Sequence, residues 1–281
     1  MLKHTLLTLY RRKMLVNMSE LTLSLIQTSL FWEEKKANLL MLEEKIRSIK
    51  EKTEVIVLPE MFSTGFSMRP EILAEKMDGP AMNWMKKMAK EKKAIVTGSL
   101  IIEERGKYFN RLIWMLPDET FGTYDKRHLF AYGTEHDYYT PGNKRLIASV
   151  KGWKINLQVC YDLRFPVWAR QQINEKQSPE YDLLIYVANW PEKRNGAWKT
   201  LLPARAIENQ SYVVGVNRVG RDGNETYHSG DSMVINPLGE ILYHKEHDEA
   251  IQTITIDKKS LEDIREKFPF WKDADNFLIT E

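Results

Sequence analysis

Residues 155–164 read Ile155-Asn156-Leu157-Gln158-Val159-Cys160-Tyr161-Asp162-Leu163-Arg164, and this stretch decides the fold class. Residues 155–159 form a strand that stops at Cys160, turns, and gives way to a helix expected over 166–174. Such an elbow exposes the residue at its corner and aims free backbone N–H groups at it. Strands that feed helices build α/β layers, in which ligands bind beyond the carboxyl ends of the strands. Taken alone, Cys160 is equally compatible with a buried structural thiol, the commonest fate of a lone cysteine.

The same unit recurs on either side. Upstream, a strand over 21–26 is followed by a helix over 33–52 carrying Leu39, Leu40, Leu42, Ile46 and Ile49 at helical spacing. An apolar strand over 55–58 then stops at Pro59-Glu60. A helix over 82–92 and strands over 95–102, 110–116 and 121–124 lead to Lys126. The polar, aromatic-rich connection over 125–144 is long enough to imply a functional reason for keeping it. Downstream, a buried strand over 183–187 ends at Asn189-Trp190-Pro191, and a helix covers 197–209. Strands follow over 212–217, 232–236, 240–243 and 251–256, with a hairpin turn at Pro237-Leu238-Gly239. No linker, low-complexity tract or repeat interrupts the pattern, so one domain over 19–281 is expected: an α/β layered sandwich with mixed sheets.

Residues 1–18 hold a short apolar run between Lys3 and Arg11-Arg12-Lys13, without the cleavage pattern of a signal peptide. They are expected to be a disordered or dispensable extension, with translation starting at Met14 or Met18. Lysine and arginine total 41 against 39 acidic residues, which gives no basis for a nucleic-acid or membrane surface. No segment approaches the roughly 20 continuous apolar residues of a membrane span. The single cysteine cannot form an internal disulfide, so a reducing, cytoplasmic setting is expected.

Glu60, Lys126 and Cys160 therefore stand at three strand ends. A thiol with an ordinary pKa near ~8.5 needs a base and a cationic neighbour to attack an amide at neutral pH. Glu60 can take the proton and later activate water, while Lys126 and the backbone N–H of Tyr161 can stabilise a tetrahedral oxyanion. A Cys–His pairing is the competing arrangement, with His128, His136 and His228 as candidates, none of them at a strand end. Neither a metal-ligand spacing nor a dinucleotide fingerprint is present, so no metal or cofactor is expected.

Three blocks together resemble the signatures of the nitrilase (carbon–nitrogen hydrolase) superfamily. They are Leu58-Pro59-Glu60-Met61-Phe62, Tyr124-Asp125-Lys126-Arg127-His128-Leu129-Phe130 and Cys160-Tyr161-Asp162-Leu163-Arg164-Phe165-Pro166. Asn189-Trp190-Pro191, the run from Ala204 to Gln210, and Gly230-Asp231-Ser232 extend the likeness over about residues 21–260. The resemblance implies a four-layer αββα sandwich that pairs into a homodimer by stacking helices. It also implies that Glu60, Lys126 and Cys160 are base, oxyanion stabiliser and nucleophile, and that Glu135 holds the lysine and orients substrate or water.

A narrower likeness, to bacterial omega-amidases, rests on the run from Pro59 to Met68 and on Arg194 and Trp198 following Asn189-Trp190-Pro191. It implies 2-oxoglutaramate and 2-oxosuccinamate as substrates. Such a molecule carries a carboxylate opposite its amide, and the planar fork of an arginine suits it. Arg194 is the nominated cation, with Trp190, Phe66 and Tyr132 walling the pocket and Arg164 and Arg205 paired with Asp162 or Glu208. Another amidase of the superfamily, acting on N-carbamoyl or aliphatic amides, and a non-catalytic binding subunit of the same fold stay open as alternatives.

Overall fold

Period-two alternation on strands buried on both faces explains how one chain fills two cores. In the computed structural model, which describes residues 19–172 and 178–279, strand β1 (Glu20–Gln27) sends Leu21, Leu23 and Leu25 to one core and Ile26 to another. Strand β2 (Val55–Val57) repeats this with Val55 and Val57 on one side and Ile56 on the other. The expected extension over 1–18 lies outside the described residues.

β1 and β2 run parallel to β3 (Ile95–Glu104), and the antiparallel strands β4 (Lys107–Met115) and β5 (Phe121–Asp125) follow. The second sheet centres on parallel strands β7 (Trp153–Val159), β8 (Leu183–Ala188) and β9 (Tyr212–Asn217). Around them lie β6 (Leu146–Val150), β10 (Val219–Arg221), β11 (Tyr227–Ile235) and β12 (Ile241–Glu246). The last strand, β13 (Ala250–Asp257), returns to the first sheet and pairs antiparallel with β1. Both sheets are thus mixed.

The inner core joins the two sheets, with Leu23, Val57 and Trp114 among residues such as Leu157, Val159 and Ile185. Helices α1 (Lys35–Ser48) and α2 (Pro80–Lys92) cover the outer face of the first sheet, where Leu42, Ile46, Met82 and Met85 pack with Ile56, Val96 and Ile113. Helix α3 (Asn195–Asn209) packs on β9 and β11 of the second sheet. The layers run helix, sheet, sheet, helix. Full burial of each such Leu, Ile or Val contributes about 1.5–3 kcal/mol. No helix among the described residues is long and apolar enough to cross a membrane.

Several elements differ from expectation, among them the short strands β6 and β10, one shortened helix and one added helix. The helix expected over 166–174 is a single turn, Pro166–Ala169, and residues 173–174 lie outside the described residues. Gln171 leaves the helical path because tertiary bonds capture it. Its backbone N–H donates to Asn209 Oδ1 at 2.8 Å, its side chain donates to Asn209 O at 2.6 Å, and it accepts from Tyr181 N at 2.8 Å. Helix α4 (Lys258–Lys267) was not anticipated, since its apolar stripe is only Leu261 and Ile264 among charged residues, with Leu261 its one buried residue. Asp257 caps it, accepting from the backbone N–H groups of Lys259 and Ser260 at 3.3 and 2.8 Å.

Candidate active site

The ends of β2, β5 and β7 bring Glu60, Lys126 and Cys160 together. Lys126 follows β5 directly and Cys160 follows β7 directly, while Pro59 turns the chain beyond β2 and delivers Glu60. Lys126 Nζ lies 2.9 Å from Glu60 Oε1 and 2.8 Å from Glu135 Oε2. All three of these side chains are buried, and the Cys160 residue is 9% exposed. Close approach of the loop at Gly142 fixes the lysine's backbone. Gly142 N donates to Lys126 O at 2.9 Å, and a Cβ on Gly142 would stand 2.1 Å from the Asp125 carbonyl oxygen.

The rest of each carboxylate is also held. Asn110, on β4, donates its amide to Glu60 Oε1 at 2.8 Å and to Glu135 Oε1 at 3.1 Å. Phe130 N donates to Glu135 Oε2 at 2.6 Å, and Asn189 N donates to Glu60 Oε2 at 2.8 Å. Three left-handed non-glycine residues lie at these corners: Met61 (φ 43°) after Glu60, Thr134 (φ 59°) before Glu135, and Cys160 itself (φ 43°). Each costs about 1–2 kcal/mol, a kind of strain that clusters at functional sites.

Electrostatics sets the protonation states. Burial first, then the charge of Glu60, pushes the Cys160 thiol well above its usual range, against the opposing pull of Lys126 and the Asn189 N–H. The thiol is therefore protonated at neutral pH. Burial opposes the charge on Lys126, but Glu135 and Glu60 outweigh it and hold the ammonium above its ordinary value. Burial also raises Glu135, aided by Glu60 and opposed by Lys126.

Cys160 opens onto a cavity of about 400 Å³. The nominated residues Phe66, Tyr132, Tyr161, Trp190 and Arg194 all border it, whereas Glu60 and Glu135 sit behind its wall. Lys126 Nζ lies 5.1 Å from the centre of the Phe66 ring. Tyr132 is 85% exposed and so forms the rim rather than a wall. Arg194 lies over the rings of Phe130 and Tyr132, at 4.9 and 5.9 Å.

Arg164 departs from expectation. It does not pair with Asp162 but borders the cavity, its guanidinium 4.9 Å from the Trp190 ring centre. Asp162 is already taken: Oδ1 accepts from His128 N at 2.9 Å and faces His128 Nδ1 at 2.8 Å, while Oδ2 accepts from Tyr124 OH and Val159 N at 2.7 and 3.0 Å. Arg205 does pair with Glu208, at 3.0 Å. Of the three candidate histidines, His128 serves Asp162, His136 is exposed, and His228 borders the cavity from β11 with its Nδ1 turned to backbone carbonyl oxygens.

Asp162 ties the Cys160 elbow to the loop that carries Lys126, a role that sequence reasoning missed. Asp162→Asn would place an amide N–H against at least one of these donors. A loss of about 1–3 kcal/mol of stability is expected, with a lower kcat and little change in KM. Urea midpoints and steady-state rates test this; an unmoved midpoint would remove Asp162 from that role.

Comparisons with known proteins agree with this architecture. The carbon-nitrogen hydrolase family profile matches residues 22–266. The omega-amidase YafV of Escherichia coli K12 is 44% identical over 263 residues, which is 93% of this chain and 100% of that protein. A 2-oxoglutaramate amidase of Bacillus subtilis is 31% identical over 255 residues, 90% of this chain and 96% of the relative. The crystal structure of XC1258 from Xanthomonas campestris, a CN-hydrolase superfamily protein with an arsenic adduct in its active site, superposes with a TM-score of 0.90 at 42% identity. It covers 93% of this chain and 99% of its own. Since the family match runs from β1 into α4 and takes in every strand end described above, the chain belongs to the carbon–nitrogen hydrolase family, enzymes that hydrolyse amide C–N bonds.

Proposed function

We propose that the chain is an omega-amidase, hydrolysing the terminal amide of 2-oxoglutaramate or 2-oxosuccinamate to the 2-oxo dicarboxylate and ammonia. One observation carries the reading: a thiol, a carboxylate and an ammonium converge at a cavity that also holds two arginines, Arg164 and Arg194, without a carboxylate partner among the described residues. The first group suits attack on an amide, and the second suits a substrate with a carboxylate at its far end. Relatives named omega-amidase and 2-oxoglutaramate amidase support the same substrate class.

In this mechanism Cys160 rests as a thiol, so its proton leaves as the bond to carbon forms. Glu60 takes that proton while Sγ attacks the amide carbonyl carbon. Lys126 and the Tyr161 N–H stabilise the resulting oxyanion, an effect of about 3 kcal/mol for each well-placed donor. Glu60 then passes the proton to the amide nitrogen, the C–N bond breaks, and ammonia departs from a thioester. Water attacks the thioester carbon, Glu60 takes its proton, and collapse breaks the C–S bond and returns the proton to sulfur. Glu135 keeps the ammonium aimed throughout.

The exposed apolar side chains of Val167, Ile207 and Phe270 support a homodimer that stacks helices. A mechanism that depends on one free thiol supports a reducing, cytoplasmic setting.

Ammonia release across 2-oxoglutaramate, 2-oxosuccinamate, a carbamoyl amino acid and a simple nitrile tests the substrate class. The two 2-oxo amides are expected to lead, and preference for either of the others would overturn the reading. Arg164→Met and Arg194→Met should each raise KM for 2-oxoglutaramate about 10- to 100-fold, as loss of a charged hydrogen bond predicts. A neutral short amide should scarcely respond. Equal effects on both substrates would release that arginine from carboxylate binding.

A further inference from the structure

One wall of the cavity is unused by the amide chemistry. Between β10 and β11 the chain doubles back, and alternate residues of the turn border the cavity as Asp222, Asn224, Thr226 and His228. The turn is held firmly. Asp222 Oδ1 accepts from Asn224 N and Thr226 N at 2.8 and 3.0 Å, and the buried Arg218 donates Nη2 to Arg221 O at 2.8 Å. Gly223 lies so close to Trp32 that a Cβ would stand 2.3 Å from its ring.

His228 is the buried member of this wall, 2% exposed. Its Nδ1 faces two backbone carbonyl oxygens, Thr226 O at 3.0 Å and Gly220 O at 3.3 Å, so Nδ1 carries the hydrogen. Burial first, and the neighbouring charge of Arg218 second, push its pKa down to about 4. The ring is therefore neutral at physiological pH, and Nε2 is a bare lone pair. No described residue donates to Nε2, and the ring borders the cavity. A neutral acceptor facing a cavity receives an O–H.

With the amide at Cys160 and the carboxylate at the guanidinium groups, the part of a dicarboxylic monoamide left to meet this wall is its carbon chain. We infer that His228 is a specificity-determining residue that accepts a hydrogen bond from a hydroxyl on that chain, so that the site also takes 2-hydroxy dicarboxylic monoamides and favours them over unsubstituted ones. The inference rests on the dicarboxylic monoamide reading of the site. It extends the substrate class from ketones to alcohols, and to the hydrated form of a 2-oxo acid, which presents the same hydroxyl.

The test is ammonia release by the purified full chain with 2-hydroxyglutaramate and with glutaramate, which lacks the hydroxyl. The parent's kcat/KM for the hydroxy compound should exceed that for glutaramate by about tenfold, the worth of one well-made neutral hydrogen bond in a dry site. His228→Phe should bring the ratio near one. His228→Gln, which restores an acceptor oxygen, should recover part of it, an effect that a merely structural role for the ring would not produce. A parent ratio at or below one, or a ratio unchanged in a folded His228→Phe protein, would overturn the assignment alone. Turnover of neither monoamide, with a simple amide still cleaved, would overturn both the assignment and the reading beneath it.

Discussion

Replacing Cys160 by alanine should reduce ammonia release from 2-oxoglutaramate by roughly 10⁴-fold or more, since loss of a nucleophile removes the covalent route entirely. The protein should nevertheless stay folded. Residue 160 already occupies the left-handed region at φ 43°, and alanine inherits that strain rather than adding to it. The thiol is protonated at neutral pH, so its removal leaves no buried charge without a partner. Glu60 and Lys126 keep each other at 2.9 Å. The thioester gives a second readout: with substrate, the parent should show the mass of an acyl adduct, and Cys160→Ala should show none. Ammonia release within tenfold of the parent would falsify the nucleophile.

How much of this was legible before the structure depends on what kind of signal each residue leaves. Glu60 and Cys160 each follow an apolar strand, so the break in hydrophobicity marks them as strand-end residues, whereas Lys126 follows the short, half-exposed strand β5 and gains meaning only beside the other two. Their convergence on one cavity could be expected only from the fold. Asn110 left no such mark, while Asn189 stood at the end of the apolar strand β8 without any sign that its backbone N–H would meet Glu60. A polar residue inside a strand looks like a solvent-facing position, and only the folded chain shows that Asn110 bridges two carboxylates. Arg164 was misread for a geometric reason. It is two residues from Asp162, and on a tight helical turn such residues point to different sides, so closeness in sequence did not become a pair. The strands β6 and β10 are short and only partly buried, which blunts their alternation, and the apolar stripe of α4 is just Leu261 and Ile264.

Lys126→Met should cost both activity and stability, and the two losses should separate. The substitution leaves Glu60 and Glu135 buried, both linked to Asn110 and with no cation between them. Removing one partner from a buried ion pair costs about 3–5 kcal/mol, which corresponds to a fall of about ten degrees in melting temperature for a domain this size. The sign of the pH dependence follows from the carboxylates. Burial and mutual repulsion already raise Glu135, and loss of the ammonium removes the opposing attraction. A carboxyl group whose folded pKa lies above its unfolded one contributes stability that is present below the unfolded pKa and lost as pH rises through the folded one. The variant should therefore regain stability relative to the parent as pH falls from 8 towards 5. Adding Glu135→Gln removes one of the two unpaired charges, so the double variant should melt well above Lys126→Met at pH 8. Turnover should stay depressed about 10³-fold in both variants, because neither restores the donor to the oxyanion. Equal melting temperatures for parent and Lys126→Met at pH 8 would show that the ammonium is not what holds two buried carboxylates charged side by side.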